Sequence, residues 1–344
     1  MIASPRPRTP LLPLFLPLLG ALAACGGGGS GPIDGARAYA HVARFVEIGP
    51  RPFGSENLAK TADYICSAVE KDGGPKVERQ EVVDDYTKKT IRNLYAKIDG
   101  PDPQNGPILI LGSHYDTKLA EGLTGKEAEH NMRFVGAIDG GGGVGVLIEL
   151  ARELKARQKE LAVNVWCYWI DAEESIQWEW DKGHELAGSK AFCKWLVEQK
   201  IKPRVKAFVL LDLIGDKNFK IDKDGASDPR LLGLALDAAK AMGQEQRMFE
   251  FPTEEDLEPY RKRGIPWGTT DDHNVFHDYG IPPLLLIDFA RRIPGEKKDP
   301  RYKQWWHTAD DDLDQVSPAA LAFAGNLVMQ MLPALSDFCL GKKK

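Results

Sequence analysis

The chain has 344 residues, 43% of them hydrophobic and 28% charged, a composition that supplies material for one large core and excludes wholesale disorder. Its 45 basic and 50 acidic residues leave a formal charge of −5, and no long basic run precedes the lysines at 342–344. Nucleic acid is therefore not an expected partner.

Two positive charges, Arg6 and Arg8, precede the apolar run Leu11 to Ala24, which is too short and too proline-rich for a spanning helix and reads as a secretion signal. Leu22-Ala23-Ala24-Cys25 resembles the lipobox at which bacteria cleave the signal and lipidate the cysteine. On that reading residues 1–24 are a lipoprotein signal peptide, Cys25 carries the lipid, and residues 25–34, with the run GGGGSGP, form a flexible tether. The implied location is the cell envelope, facing the periplasm and bound to membrane through the lipid alone. Cys66, Cys167, Cys193 and Cys339 include no CxxC pair, so a zinc-finger pattern is excluded and their pairing stays open. Cys167 lies in an apolar run that suits a buried, inert thiol.

From residue 35 to 344 there is no repeat and no second linker, and a single catalytic domain is expected. In chain order the patterns predict a helix at Leu58–Glu70, strands at Thr90–Ile98 and Ile108–Gly112, and a helix at Val144–Arg157. A strand at Val163–Ile170, a helix at Leu186–Glu198, a strand at Ala207–Leu211, a helix at Arg230–Met242, a strand at Pro283–Ile287 and a helix at Ala319–Phe338 follow. Leu147, Leu150, Ala151 and Leu154 share one helical face, and Ser317-Pro318 is a helix start signal. Nearly pure apolar strands between such helices predict an α/β fold, a three-layer sandwich with a mostly parallel central sheet flanked by helices.

In open α/β sheets ligands sit beyond the carboxyl ends of the strands. His114-Tyr115-Asp116 follows one strand, Asp171-Ala172-Glu173-Glu174 another and Asp212 a third. Adding Asp139, before a glycine run, and His307, in Trp306-His307-Thr308, gives five groups of metal-ligand type. Any one carboxylate at a strand end is more often solvated or helix-capping, so the joint order carries the argument. Catalytic zinc takes a few His, Asp or Glu ligands and keeps one position open. Of two adjacent glutamates, one can ligate while the other faces the substrate as a base.

The ordered strings HYDTK, GAIDGGGG, DAEES, LLDLIGD, TTDDHNVF and WWHTADDD, with GPRPFGS nearer the start, resemble the animal-type glutaminyl-peptide cyclotransferases and their bacterial relatives, within the zinc aminopeptidase superfamily. The resemblance implies Asp139, Glu174 and His307 as ligands of a catalytic Zn2+, and Glu173 as general acid and base. It implies Asp212 and Asp271 as a buried acidic pair, with Trp180 and Trp306 in the substrate pocket. The implied reaction converts the N-terminal glutamine of a peptide to pyroglutamate with release of ammonia. The alternative is a zinc aminopeptidase, whose second ion would take His114 and Asp212. Either way the partner is a peptide with a free N-terminus, and a monomer is expected. Lys118, Leu213-Ile214-Gly215, Asp271-Asp272-His273 and Trp306 favour the cyclase wording.

Three departures stand out. One extra residue between Ser175 and Ala187 leaves Trp178 as a substitute for Trp180, Ala172 replaces a frequent glycine, and Gly140 to Gly143 replace more varied residues. Trp305 joins Trp178, Trp180 and Trp306 as an expected pocket wall. Gly140 to Gly145 formally match GxGxxG, but no strand ends directly before them, so the glycines are better explained as letting Asp139 turn to a metal. No GxSxG occurs, which disfavours a serine hydrolase.

Overall fold

Six strands form one sheet: β1 (Val77–Val83), β2 (Thr90–Ile98), β3 (Ile108–His114), β4 (Asn164–Ile170), β5 (Val205–Asp212) and β6 (Pro283–Ile287), in the order β1-β2-β4-β3-β5-β6. The computed structural model describes residues 31–118, 133–176, 183–264, 267–290, 303 and 305–342. The signal segment, Cys25, most of the tether, Trp178 and Trp180 lie outside them. β4, β3, β5 and β6 run parallel, while β2 pairs antiparallel with both β4 and β1. The sheet is thus mixed, with a parallel centre as expected and an antiparallel edge.

The helices are α1 (Gly35–Ile48), α2 (Glu56–Glu70), α3 (Gly141–Ala156), α4 (Ala187–Glu198), α5 (Pro229–Ala241), α6 (Glu254–Lys262), α7 (Asp272–Asp278) and α8 (Pro318–Cys339). α3 and α8 lie on β3 and β5, with α1 packed across both helices. The other face carries α4 on β2 and α7 on β5 and β6. There Phe208 stacks on Phe276 at 3.7 Å and Tyr168 on Phe192 at 4.0 Å. Strands β3 and β4 are buried throughout because both faces are covered. α8 is apolar enough to cross a membrane, yet 67% of its apolar window is buried inside the fold, the state of a core helix. Its start is as predicted, with Ser317 accepting from the Ala320 amide and Pro318 in the first turn.

The predicted bounds of β2 and β6 match the structure residue for residue. β1, α1, α6 and α7 were not anticipated. In β1 only Val77 is buried, so its alternation carries no apolar signal. α6 buries nothing and contains Pro259, and α7 has seven residues. α1 did carry a signal, because Asp34 caps it and Ala38, Val42 and Phe45 line one face. All four described cysteines are free thiols, and burial pushes the Cys167 thiol well up.

Candidate metal centre and active site

The three central parallel strands deliver their ends to one place. β3 ends at His114 and β5 at Asp212, and Glu173-Glu174 follow β4 after a sharp turn. Ala172, Leu213 and His307 have φ of 51°, 49° and 56°, left-handed values that cost about 1–3 kcal/mol each for a residue other than glycine. Ala172 therefore bears strain that a glycine would not. The Asp116 carboxylate accepts from the Glu173 and Glu174 amides, both at 3.2 Å, and so fixes the glutamate turn to the end of β3. Asp116 acts here as scaffold.

Asp139 stands just before α3. A Cβ on Gly142 would lie 1.6 Å from the Ile214 carbonyl oxygen, and one on Gly143 would lie 2.4 Å from Ser113 Oγ. The glycines let α3 press its first turn against the ends of β3 and β5, which accounts for the GxGxxG match without a nucleotide.

Asp139, Glu174 and His307 come together. His307 Nε2 lies 3.1 Å from Glu174 Oε1 and 3.4 Å from Asp139 Oδ2. The other oxygen of Asp139 faces His114, whose Nε2 lies 3.1 Å from it and 3.0 Å from Asp212 Oδ1. Each group keeps its ligand atoms within 4.8 Å of one another. Ligands around one tetrahedral zinc stand about 3.3 Å apart, given bonds near 2 Å, so these spacings fit an ion. Asp139 Oδ2 and both Glu174 oxygens are buried and accept no hydrogen bond from the described residues, which a bound cation would remedy. A third grouping joins His114, Asp116 and Glu173. In it His114 Nδ1 lies 3.5 Å from Asp116, which suits a carboxylate that orients the ring.

Negative charge is in surplus here. Burial pushes the Glu173 carboxyl well above its ordinary range; Glu174, Asp271 and Asp272 add to this and His114 opposes it. Burial raises Asp271 likewise, reinforced by Asp212 and Asp272. Burial works against His307, yet Glu174 and Asp139 push it up to about 9. Buried carboxylates and strongly basic imidazoles are the setting a divalent cation neutralises. Lys118, also buried, donates to the Ser175 carbonyl at 2.7 Å and lies 3.8 Å from Glu174 Oε2.

Asp271 caps α7, with its Oδ1 accepting from the Asp272 amide at 2.6 Å. It lines a cavity of about 260 Å3 together with Asp139, Glu173, Glu174, Asp212 and His307. Trp306, Phe289, Trp267, Phe251, Tyr260, Leu213 and Ile287 form the walls. Trp306 stacks on His307 at 3.8 Å, with Phe289 edge-on to it at 5.1 Å. Trp305 does not line this cavity; its indole N–H donates to Asp216 at 2.7 Å. Sequence reasoning missed Trp267, Phe251, Tyr260 and Phe289, although Trp267 stands close before TTDDH.

Comparison with known proteins agrees with this architecture. A glutaminyl cyclase from an Acidobacteriales bacterium is 27% identical, superposes with a TM-score of 0.73, and is matched over 92% of this chain and 99% of its own. A zinc-dependent exopeptidase of Parabacteroides distasonis, 24% identical, shares the fold with a TM-score of 0.70 over 87% of this chain and 97% of its own. Aminopeptidase YwaD of Bacillus subtilis is 24% identical over 244 residues, covering 71% of this chain; the match spans only 44% of that protein's length. The model of peptidase family M28 matches residues 93–332, which hold every described site residue from His114 to His307. By that match this chain belongs to peptidase family M28.

Proposed function

We propose that the protein is a zinc-dependent glutaminyl-peptide cyclotransferase. The observation that carries the reading is that Glu173, Asp212 and Asp271 line one small aromatic cavity, where Asp271 strengthens the hold of Glu173 on a proton and Asp212 that of Asp271. Zinc held by Asp139, Glu174 and His307 would polarise the γ-carboxamide of an N-terminal glutamine. Glu173 accepts a proton from the substrate α-amine as its nitrogen bonds to the γ-carbon, then delivers it to the departing ammonia. A base with a raised proton affinity suits both tasks. Asp271 Oδ2 is buried and accepts no hydrogen bond from the described residues, while His114 and the Leu213 amide hold Asp212 Oδ1. The aromatic side chains lining the cavity would limit the access of bulk water to the amine.

The second reading, an aminopeptidase, draws on the group His114, Asp139 and Asp212, which has the spacing for another ion. Glu173 would then take its proton from water. Incubation with a glutaminyl dipeptide amide and with a leucyl substrate, following ammonia and free amine separately, tests the choice. Ammonia and pyroglutamate without peptide cleavage support the cyclase; leucyl cleavage without ammonia sinks it. Export and lipidation at Cys25 form part of the proposal, tested by loss of lipid labelling in Cys25→Ser.

A further inference from the structure

Two buried charged residues outside the ligand groups grip one short segment from opposite sides. Arg51, 1% exposed, donates from Nη2 to the carbonyls of Gly136 at 2.8 Å and Asp139 at 3.4 Å, and from Nη1 to that of Val135. Its Nε donates to the Tyr115 carbonyl at 2.7 Å, next to His114. Its own amide donates to Thr117 Oγ1 at 3.0 Å. Asp311, fully buried, takes the other side, accepting from the Ile138 amide at 2.8 Å on Oδ1 and the Asp139 amide at 3.0 Å on Oδ2. Its carbonyl accepts from the Ala137 amide at 3.2 Å. Asp311 lies one turn of chain beyond His307.

The segment 135–139 thus has its carbonyls held by a guanidinium and its amides by a carboxylate. The same two side chains reach the segments that carry His114 and His307. We propose that Arg51 and Asp311 are positioning residues that set the separation of His114, Asp139 and His307 from outside the metal ligands; this rests on the zinc reading above. The residue types follow from the task. The guanidinium is a planar fork with five N–H donors, and an ammonium cannot span these carbonyls. A carboxylate offers two acceptors to successive amides, where asparagine would set its NH2 against one of them. Gly136 adds tightness, since at φ 54° a Cβ there would lie 2.4 Å from the Asp139 carbonyl oxygen and 3.3 Å from Arg51 Nη2.

The test measures zinc affinity by chelator competition, and melting temperature with and without zinc, for the full chain, Asp311→Asn, Arg51→Lys and the double variant. Partners behind metal ligands typically contribute about 10–100-fold in affinity, so each single variant is expected to bind zinc that much more weakly. The double variant should lose far less than the product of the two, because both act on one segment. Zinc should raise the melting temperature less than in wild type. Variants that bind zinc within about twofold of wild type, with equal losses of melting temperature with and without metal, overturn the brace and leave the zinc reading standing. A wild-type chain that takes up no zinc overturns both. Should Asp311→Asn fail to fold, Arg51→Lys carries the same readout.

Discussion

Within β3, Ile108 to Leu111 are aliphatic and wholly buried, whereas His114, three residues on, lies among Asp116, Asp139, Glu173 and Asp212. The same change occurs at the ends of β4 and β5. In the sheet body, side chains fill volume between helices, and any apolar group of matching size serves. At the carboxyl edge there are left-handed residues other than glycine, buried oxygens that accept no hydrogen bond from the described residues, and carboxyls with raised proton affinity. Those features oppose folding, and the body holds them in place. Substitutions in the two regions should therefore have opposite signatures.

The largest effect belongs to the edge. Glu173→Gln should lower the rate of ammonia release about 10²–10⁴-fold while leaving the melting temperature unchanged or higher, since one buried charge is removed. Steady-state assay with thermal denaturation checks both; retained activity with a lower melting temperature would break the comparison. In the body, Leu109→Ala should lower stability by about 2–5 kcal/mol. Denaturant unfolding reads the loss, and the folded variant should bind zinc as wild type does.

Asp222 sharpens the comparison through pH. Burial pushes its carboxyl up to about 7, with Asp224 adding and Lys303 and the Phe289 and Ala290 amides opposing. The folded state then binds more protons than the unfolded state between about pH 4 and 7, so this residue's contribution to stability falls as pH rises through that window. Asparagine keeps an oxygen for both amides and carries no charge. Asp222→Asn should therefore stabilise more at pH 8 than at pH 5 in parallel unfolding curves, and equal shifts at both would refute the assignment. The smallest effect is at Ala172. Glycine there relieves the left-handed strain at some cost in unfolded-state entropy, a net gain of about 1 kcal/mol. A lower melting temperature for Ala172→Gly would mean that the backbone at 172 is not strained.

The same contrast governs what the sequence disclosed. β2 and β6 are bounded by their apolar runs, and the order of HYDTK, DAEES and LLDL at strand ends pointed to one edge of an α/β sheet. β1 left no trace because a solvated edge strand needs no apolar face. At the site, residue types were legible and their distances were not. Arg51 and Asp311 meet Asp139 across 88 and 172 residues of chain, a proximity that neither periodicity nor spacing encodes. Trp305 and Trp306 are neighbours in sequence, yet one serves Asp216 and the other lines the cavity.

The most direct test of the account is a zinc titration of metal-free protein against the glutaminyl dipeptide amide and the leucyl substrate together. Ammonia release should rise to a plateau at one equivalent of zinc, with no leucyl cleavage on further addition. Leucyl cleavage that needs two equivalents, with no ammonia at any point, would contradict it.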